Sequence, residues 1–206
     1  MSTLGEMASN IADDINRNDL QSQIERAINR AIFHYRKDRF WFNETTAVLA
    51  TVADQQTYTS TDGFPSDLLK INVARLYRTS TDTYILTRQS YEWMEWVDPN
   101  LSVGPPDYYS VYNTSFYLYP IPDQAYNITL SYLKSYSELS GANDTNDFLS
   151  YAEDLIEARA EWWLYSRVLR DPEAAQVMKS AELEALSAIR KMTNSYITRG
   201  EISYRE

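Results

Sequence analysis

Apolar residues recur every three to four positions at the start of the chain, alternate through its middle and return to helical spacing near its end. Leu4, Met7, Ala8, Ile11 and Ile15 define a first helical face. Thr3 and Glu6 have the spacing of a capping box, in which side chain and backbone at the helix start satisfy one another. Asn18 and Asp19 interrupt the pattern and offer a fresh N-cap. A second helix carries Leu20, Ile24, Ala27, Ile28, Ala31, Ile32 and Tyr35 on one face. Arg26, Arg30, Arg36, Lys37 and Arg39 occupy the other, and the helix closes on Phe40-Trp41-Phe42. The short turn between the two predicts an antiparallel helical hairpin over residues 1–43.

From residue 44 to 139 the period changes to two. Thr45 to Val52 is β-branched and alternating, and Gln56 to Ser60 is expected to pair back on it. Leu69 to Arg78 and Thr83 to Gln89 flank a polar turn and read as a hairpin. Tyr108 to Tyr112 and Phe116 to Tyr119 flank Asn113-Thr114-Ser115 and read as another. Ser90 to Val97 reads as a short amphipathic helix with Trp93, Trp96 and Val97. Pro99, Pro105 and Pro106 mark a loop. Pro120 and Pro122 end a strand, since proline cannot donate to a central ladder, and Tyr126, Ile128, Leu130 and Tyr132 alternate as the last one. The expected module is mostly antiparallel.

Residues 140–206 return to helix. Gly141 to Asp147 forms a polar linker, and Ser150 with Glu153 has capping-box spacing. The helix to about Leu169 has a wide apolar face of Leu155, Ile156, Ala160, Trp162, Trp163 and Leu164, which predicts burial between two elements. Asp171-Pro172-Glu173 starts a last helix, with an Asp cap and Pro at the first helical position. Ala174, Val177, Met178, Ala181, Ala185, Ala188, Ile189, Met192 and Tyr196 follow at helical spacing, and Gly200 is the expected C-terminal cap. The expected fold is α+β, with the N- and C-terminal helix pairs (1–43 and 140–206) sharing a bundle and the β-module (44–139) inserted between them.

Composition narrows the function. The 206 residues suffice for one core or two small modules. The formal net charge of −10 argues against gripping a DNA backbone, which takes Lys and Arg to neutralise phosphates. Seventeen Tyr and five Trp suit a protein with much contact surface as well as Tyr-rich strands. With no Cys, disulfides and thiolate metal sites are ruled out. The N-terminus lacks the basic start and apolar run of a signal peptide, so the chain is expected to be soluble and made in the cytoplasm. Its Asn-x-Ser/Thr triplets are then chance matches.

Readable catalytic chemistry is sparse. The single histidine, His34, sits beside an apolar stripe with no local nucleophile or orienting acid, and one His cannot supply a two-His metal site. Five isolated glycines form no phosphate-cradling loop. No catalytic, cofactor or metal residue is assigned. Glu153, Glu157 and Glu161 recur every four residues, the spacing of a solvated face or one that meets basic residues of a neighbour. Arg26 and Arg30 of the basic stripe are the matching candidates. Tyr196, Ile202 and Tyr204 complete the expected partner-interface set.

The arrangement resembles a known family, the head-to-tail adaptors of short-tailed bacteriophages. It rests on Ile28-Asn29-Arg30-Ala31-Ile32-Phe33-His34-Tyr35 with Arg39-Phe40-Trp41-Phe42, and on Phe64-Pro65-Ser66-Asp67-Leu68-Leu69-Lys70-Ile71. It continues through Phe116-Tyr117-Leu118-Tyr119-Pro120-Ile121-Pro122-Asp123 and the strand to Leu133. It ends with the Ala152-to-Leu169 helix and Asp171-Pro172-Glu173-Ala174-Ala175. The resemblance implies a virion structural protein and not an enzyme: a ring of about twelve copies at the head-tail junction, docked under the portal. It further implies a tail tube, nozzle or tail fibres on the other side, with DNA passing through without specific binding. The alternatives are a tail-associated peptidoglycan-cleaving enzyme and a receptor- or carbohydrate-binding tail module.

Overall fold

A computed structural model of the chain describes residues 2–79, 81–97 and 102–198. In chain order the elements are α1 (Leu4–Asp14), α2 (Gln21–Tyr35), β1 (Glu44–Ala50), β2 (Thr57–Tyr58), β3 (Leu68–Tyr77), β4 (Thr83–Ile85), β5 (Thr87–Arg88) and α3 (Tyr91–Val97). Then follow β6 (Tyr108–Tyr112), β7 (Ser115–Tyr119), β8 (Asn127–Lys134), α4 (Asp147–Tyr151), α5 (Glu153–Leu164) and α6 (Pro172–Thr198). The fold is α+β, with helices at both ends and a central, mostly antiparallel β-region. The chain divides into two compact units. One joins α1 and α2 to the segments from Tyr136 onward, and the other is Glu44–Ser135. The expected boundary at 139 therefore moves back to Ser135, because Tyr136 and Leu139 are buried in the helical core.

The helical unit forms because the apolar stripes of three helices can bury together. Leu4, Met7, Ala8 and Ile11 of α1 meet Ile24, Ala27, Ile28, Ala31 and Ile32 of α2 and Leu155, Ile156, Ala160 and Leu164 of α5 in one cluster. The predicted box at the start of α1 is present: Glu6 N donates to Thr3 Oγ1 (3.2 Å) and Thr3 N to Glu6 Oε2 (2.9 Å). The expected cap on α2 is absent. Leu20 takes the N-cap position without a side-chain bond, and Asp19 pairs with Arg17 at 2.7 Å instead. The Ser150/Glu153 box is also absent. Asn146 caps the short α4 by accepting from Phe148 N and Leu149 N, and α5 restarts after Ala152. The expected helix to Leu169 changes geometry at Tyr165–Leu169, a π-helical stretch that ends on Arg170 with a left-handed backbone (φ 57°). Asp171 caps α6 as predicted, accepting from Glu173 N and Ala174 N at 3.1 Å.

The sheet unit has two four-stranded sheets, β1-β8-β3-β4 and β2-β7-β6-β5, whose side chains share one buried cluster. The expected pairing of Gln56–Ser60 with Thr45–Val52 does not occur: β1 pairs with β8, and β2 pairs with β7 in the other sheet. Alternation along a strand shows which face is buried but leaves its partner open. The predicted β3–β4 hairpin forms (Arg75↔Ile85), and the chain then leaves it at Leu86 so that β5 pairs in parallel with β6. Asn72 sits where the β3–β8 register shifts between Ile71 and Val73. That extra residue moves the buried parity from Ile71 to Ala74 and Leu76, as a bulge does. Asn113 and Thr114 turn the β6–β7 hairpin with φ of 46° and 63°.

Candidate functional site

Three surfaces of the helical unit and one of the sheet unit gather the chemistry. The first is a cleft of about 490 Å³ lined by residues that include Arg30, His34, Arg159, Trp162, Trp163 and Arg167. Arg26 and Arg30 stand one helical turn apart on α2, so both guanidinium groups reach the Trp163 ring, at 5.9 and 5.3 Å from its centroid. Arg159 covers Trp162 at 4.4 Å. His34 borders this cationic cleft, and partial burial, then the charge of Arg159, lowers its pKa. Such a cleft suits an anionic or aromatic partner group.

Beside it lies a buried charge cluster that periodicity did not reveal. Glu182 of α6 is 1% exposed and accepts hydrogen bonds from Tyr35 Oη, Arg159 (3.0 Å) and Lys179 (2.8 Å). Burial by itself would raise its pKa. The bonds from Lys179 and Tyr35 and the charge of Arg159 outweigh that and hold it below the usual carboxylate range. Burial, then the bond to Glu182, raises the Tyr35 hydroxyl well above its ordinary value. The sequence signal was only that Glu182 shares a helical stripe with Ala175, Met178, Ala185, Leu186 and Ile189.

The second surface holds the acidic residues of α5. They do not form the evenly solvated face that the four-residue spacing suggested. Glu153 and Glu157 are half-buried, and Glu161 is only 6% exposed. The face turns inward as it passes the end of α1, where Asp14 joins it. Burial, then neighbouring acids, raises the Glu157 pKa and pushes that of Glu161 up to about 7. A residue this buried presents no open cleft to a polysaccharide, which weighs against a two-carboxylate hydrolase built on it.

The third surface is the outer side of α6. This helix of 27 residues is about 40 Å long at 1.5 Å per residue. Ala175, Glu182 and Thr193 are its buried residues among those described, while Val177 (60%), Leu183 (56%), Met192 (49%) and Tyr196 (51%) remain exposed. The apolar residues that the sequence placed on one stripe are thus spread over two faces. Tyr196 also stacks on Trp41 (4.8 Å, 26°), which extends the Phe40, Phe42, Phe148 and Tyr151 aromatic cluster. Ile202, Tyr204 and the expected Gly200 cap lie outside the described residues.

In the sheet unit, α3 and the β6–β7 hairpin build an aromatic face. Tyr91 stacks on Tyr112 (4.4 Å, 12°) and meets Tyr117 edge-on, and Trp93 packs near Tyr108 and Tyr119. A hydrogen bond to Glu95, then burial, pushes the Tyr91 pKa up to about 12. Trp96 is 83% exposed. Among the described residues no helix is long and apolar enough to cross a membrane.

The long helix α6 with its exposed apolar residues, the stacked aromatics and the cationic cleft are the main surface features of the described residues. A family model described as SU10 adaptor protein matches residues 2–202, and the chain belongs to that family. It is a phage adaptor, a virion component with a structural role that works through contacts with other virion components. No curated protein sequence matches it.

Proposed function

We propose that the chain forms the ring that joins a phage portal to its tail. The observation that carries this reading is α6: it is held by the rest of the helical unit along one side, leaves Val177 and Leu183 exposed away from that side, and keeps Met192 and Tyr196 half-exposed at its margin. Apolar residues exposed in this way suit burial against another chain. The portal, a tail tube, nozzle or fibre protein, and neighbouring copies are the proposed partners. Arg26, Arg30, Glu153 and Glu157 are proposed as the polar part of the contact and Tyr196, Ile202 and Tyr204 as the apolar part. Glu161 acts behind that surface because it is buried. The net charge of −10 per chain supports a conduit through which DNA slides without being held.

The test is capture of the purified chain on isolated portal, followed by native mass of the complex. A complex with ring stoichiometry is expected, and Leu183→Asp with Met192→Asp should abolish it while the circular dichroism spectrum stays unchanged. Deleting residues 198–206 should also abolish docking. No capture by a portal that binds another protein would overturn the proposal.

A further inference from the structure

Two buried glutamates of the helical unit are treated in opposite ways. Glu182 is surrounded by Arg159, Lys179 and the Tyr35 hydroxyl. Glu161 is 6% exposed, and its Oε1 has no hydrogen-bond partner among the described residues. One carboxylate oxygen from each of Asp14, Glu157 and Glu161 lies within 4.8 Å of the other two. The charges that act on Glu157 are those of Asp14, Glu153 and Asp154, and those that act on Glu161 are Asp14 and Glu157, all negative; the hydrogen bond that reaches the Glu161 carboxyl also comes from an acid, Asp14. Asp14 is also the last residue of α1, whose final turn carries no basic residue. The carbonyl end of a helix is partly negative, so an acid there adds to the repulsion instead of relieving it.

The geometry points to a divalent-cation site at Asp14, Glu157 and Glu161, with Ca²⁺ as the ion that fits best. Carboxylate oxygens without nitrogen or sulfur suit hard cations. Ligand oxygens about 2.3–2.6 Å from a Ca²⁺ ion can stand up to about 5 Å apart, which covers the observed spread; the roughly 2.1 Å shell of Mg²⁺ would require closure. Glu157 and Glu161 come from successive turns of α5, and Asp14 from the end of α1. Asp14 is exposed, so water can complete the shell from that side. The ion would cancel the uncompensated charge, give Glu161 Oε1 a partner and tie the end of α1 to α5. This inference is independent of the portal reading, since all three ligands belong to one unit of one chain.

The experiment uses the full chain stripped with chelator at pH 7.5. Calcium chloride is added during calorimetric titration and thermal unfolding, alongside Glu161→Gln and Asp14→Asn. Wild type is expected to bind one Ca²⁺ and to gain about 3–6 °C in Tm at calcium tenfold above Kd. Each variant is expected to bind at least tenfold more weakly. Asp14→Asn changes an exposed residue, so it decides the matter even if Glu161→Gln folds poorly. Equal calcium responses in wild type and Asp14→Asn, or no response in wild type, would overturn the site and leave a shared proton as the compensation. Tighter binding of magnesium chloride than of calcium chloride would overturn the ion assignment.

Discussion

Asn29 and Leu139, 110 positions apart, exchange two hydrogen bonds inside the helical unit. Asn29 Nδ2 donates to the Leu139 carbonyl and the Leu139 N–H donates to Asn29 Oδ1, both at 2.9 Å. Asn29 lies on the buried face of α2 at 5% exposure, where an unpaired amide would be costly. Leu139 belongs to the segment that has just left the sheet unit, so this pair fixes where the returning chain joins the helices.

Asn29→Leu removes both bonds and strands a backbone N–H and C=O in the core. It is expected to lower stability by about 2–3 kcal/mol, measured as a reduced urea midpoint with an unchanged slope.

Glu182→Gln is expected to cost about 2–4 kcal/mol, because Arg159 and Lys179 then lack their buried counter-charge. Its pH signature is also set. The folded pKa lies below the unfolded value of 4.5. The carboxylate therefore adds stability above about 4.5, and that contribution disappears as pH falls through the folded value. The acid limb of a Tm-against-pH curve should flatten in the variant.

Glu161 works in the other direction. Unfolded it titrates near 4.5, and folded near 7. Between those values the folded chain holds a proton that the unfolded chain has lost, so in chelator stability falls as pH rises from about 4.5 to about 7 and stays reduced above. Glu161→Gln should remove this slope and raise stability at pH 8 by on the order of 2 kcal/mol, read by thermal or urea unfolding.

Thr114 holds a left-handed backbone (φ 63°) in the two-residue β6–β7 turn, a position where a β-branched residue is strained. Thr114→Gly leaves the turn geometry intact and is expected to stabilise the protein by about 1 kcal/mol, visible as a higher Tm.

Much of the fold was legible because burial writes its period into a chain. The α1 box, the Asp171 cap, the β6–β7 hairpin and the α5 stripe were each read from spacing of a few residues. Those features depend on neighbours along the chain, which the sequence displays directly. Other positions misled for the same reason. Asp19 looked like a cap but finds a stronger partner in Arg17, and Gln56–Ser60 looked like the partner of β1 although β8 takes that place.

The sequence by itself determined the order of helix and strand, the residues able to cap them, the acidic balance and the absence of cysteine chemistry. The tertiary structure alone decided which strands pair, which of two apolar faces α6 buries, and the fate of two glutamates with similar local surroundings. Glu182 meets Arg159 and Tyr35 from other helices and is held charged, whereas Glu161 meets Asp14 from α1 and is pushed toward protonation. Periodicity sets the face on which a side chain lies, but the charges that meet it there come from distant segments, and only folding brings those together.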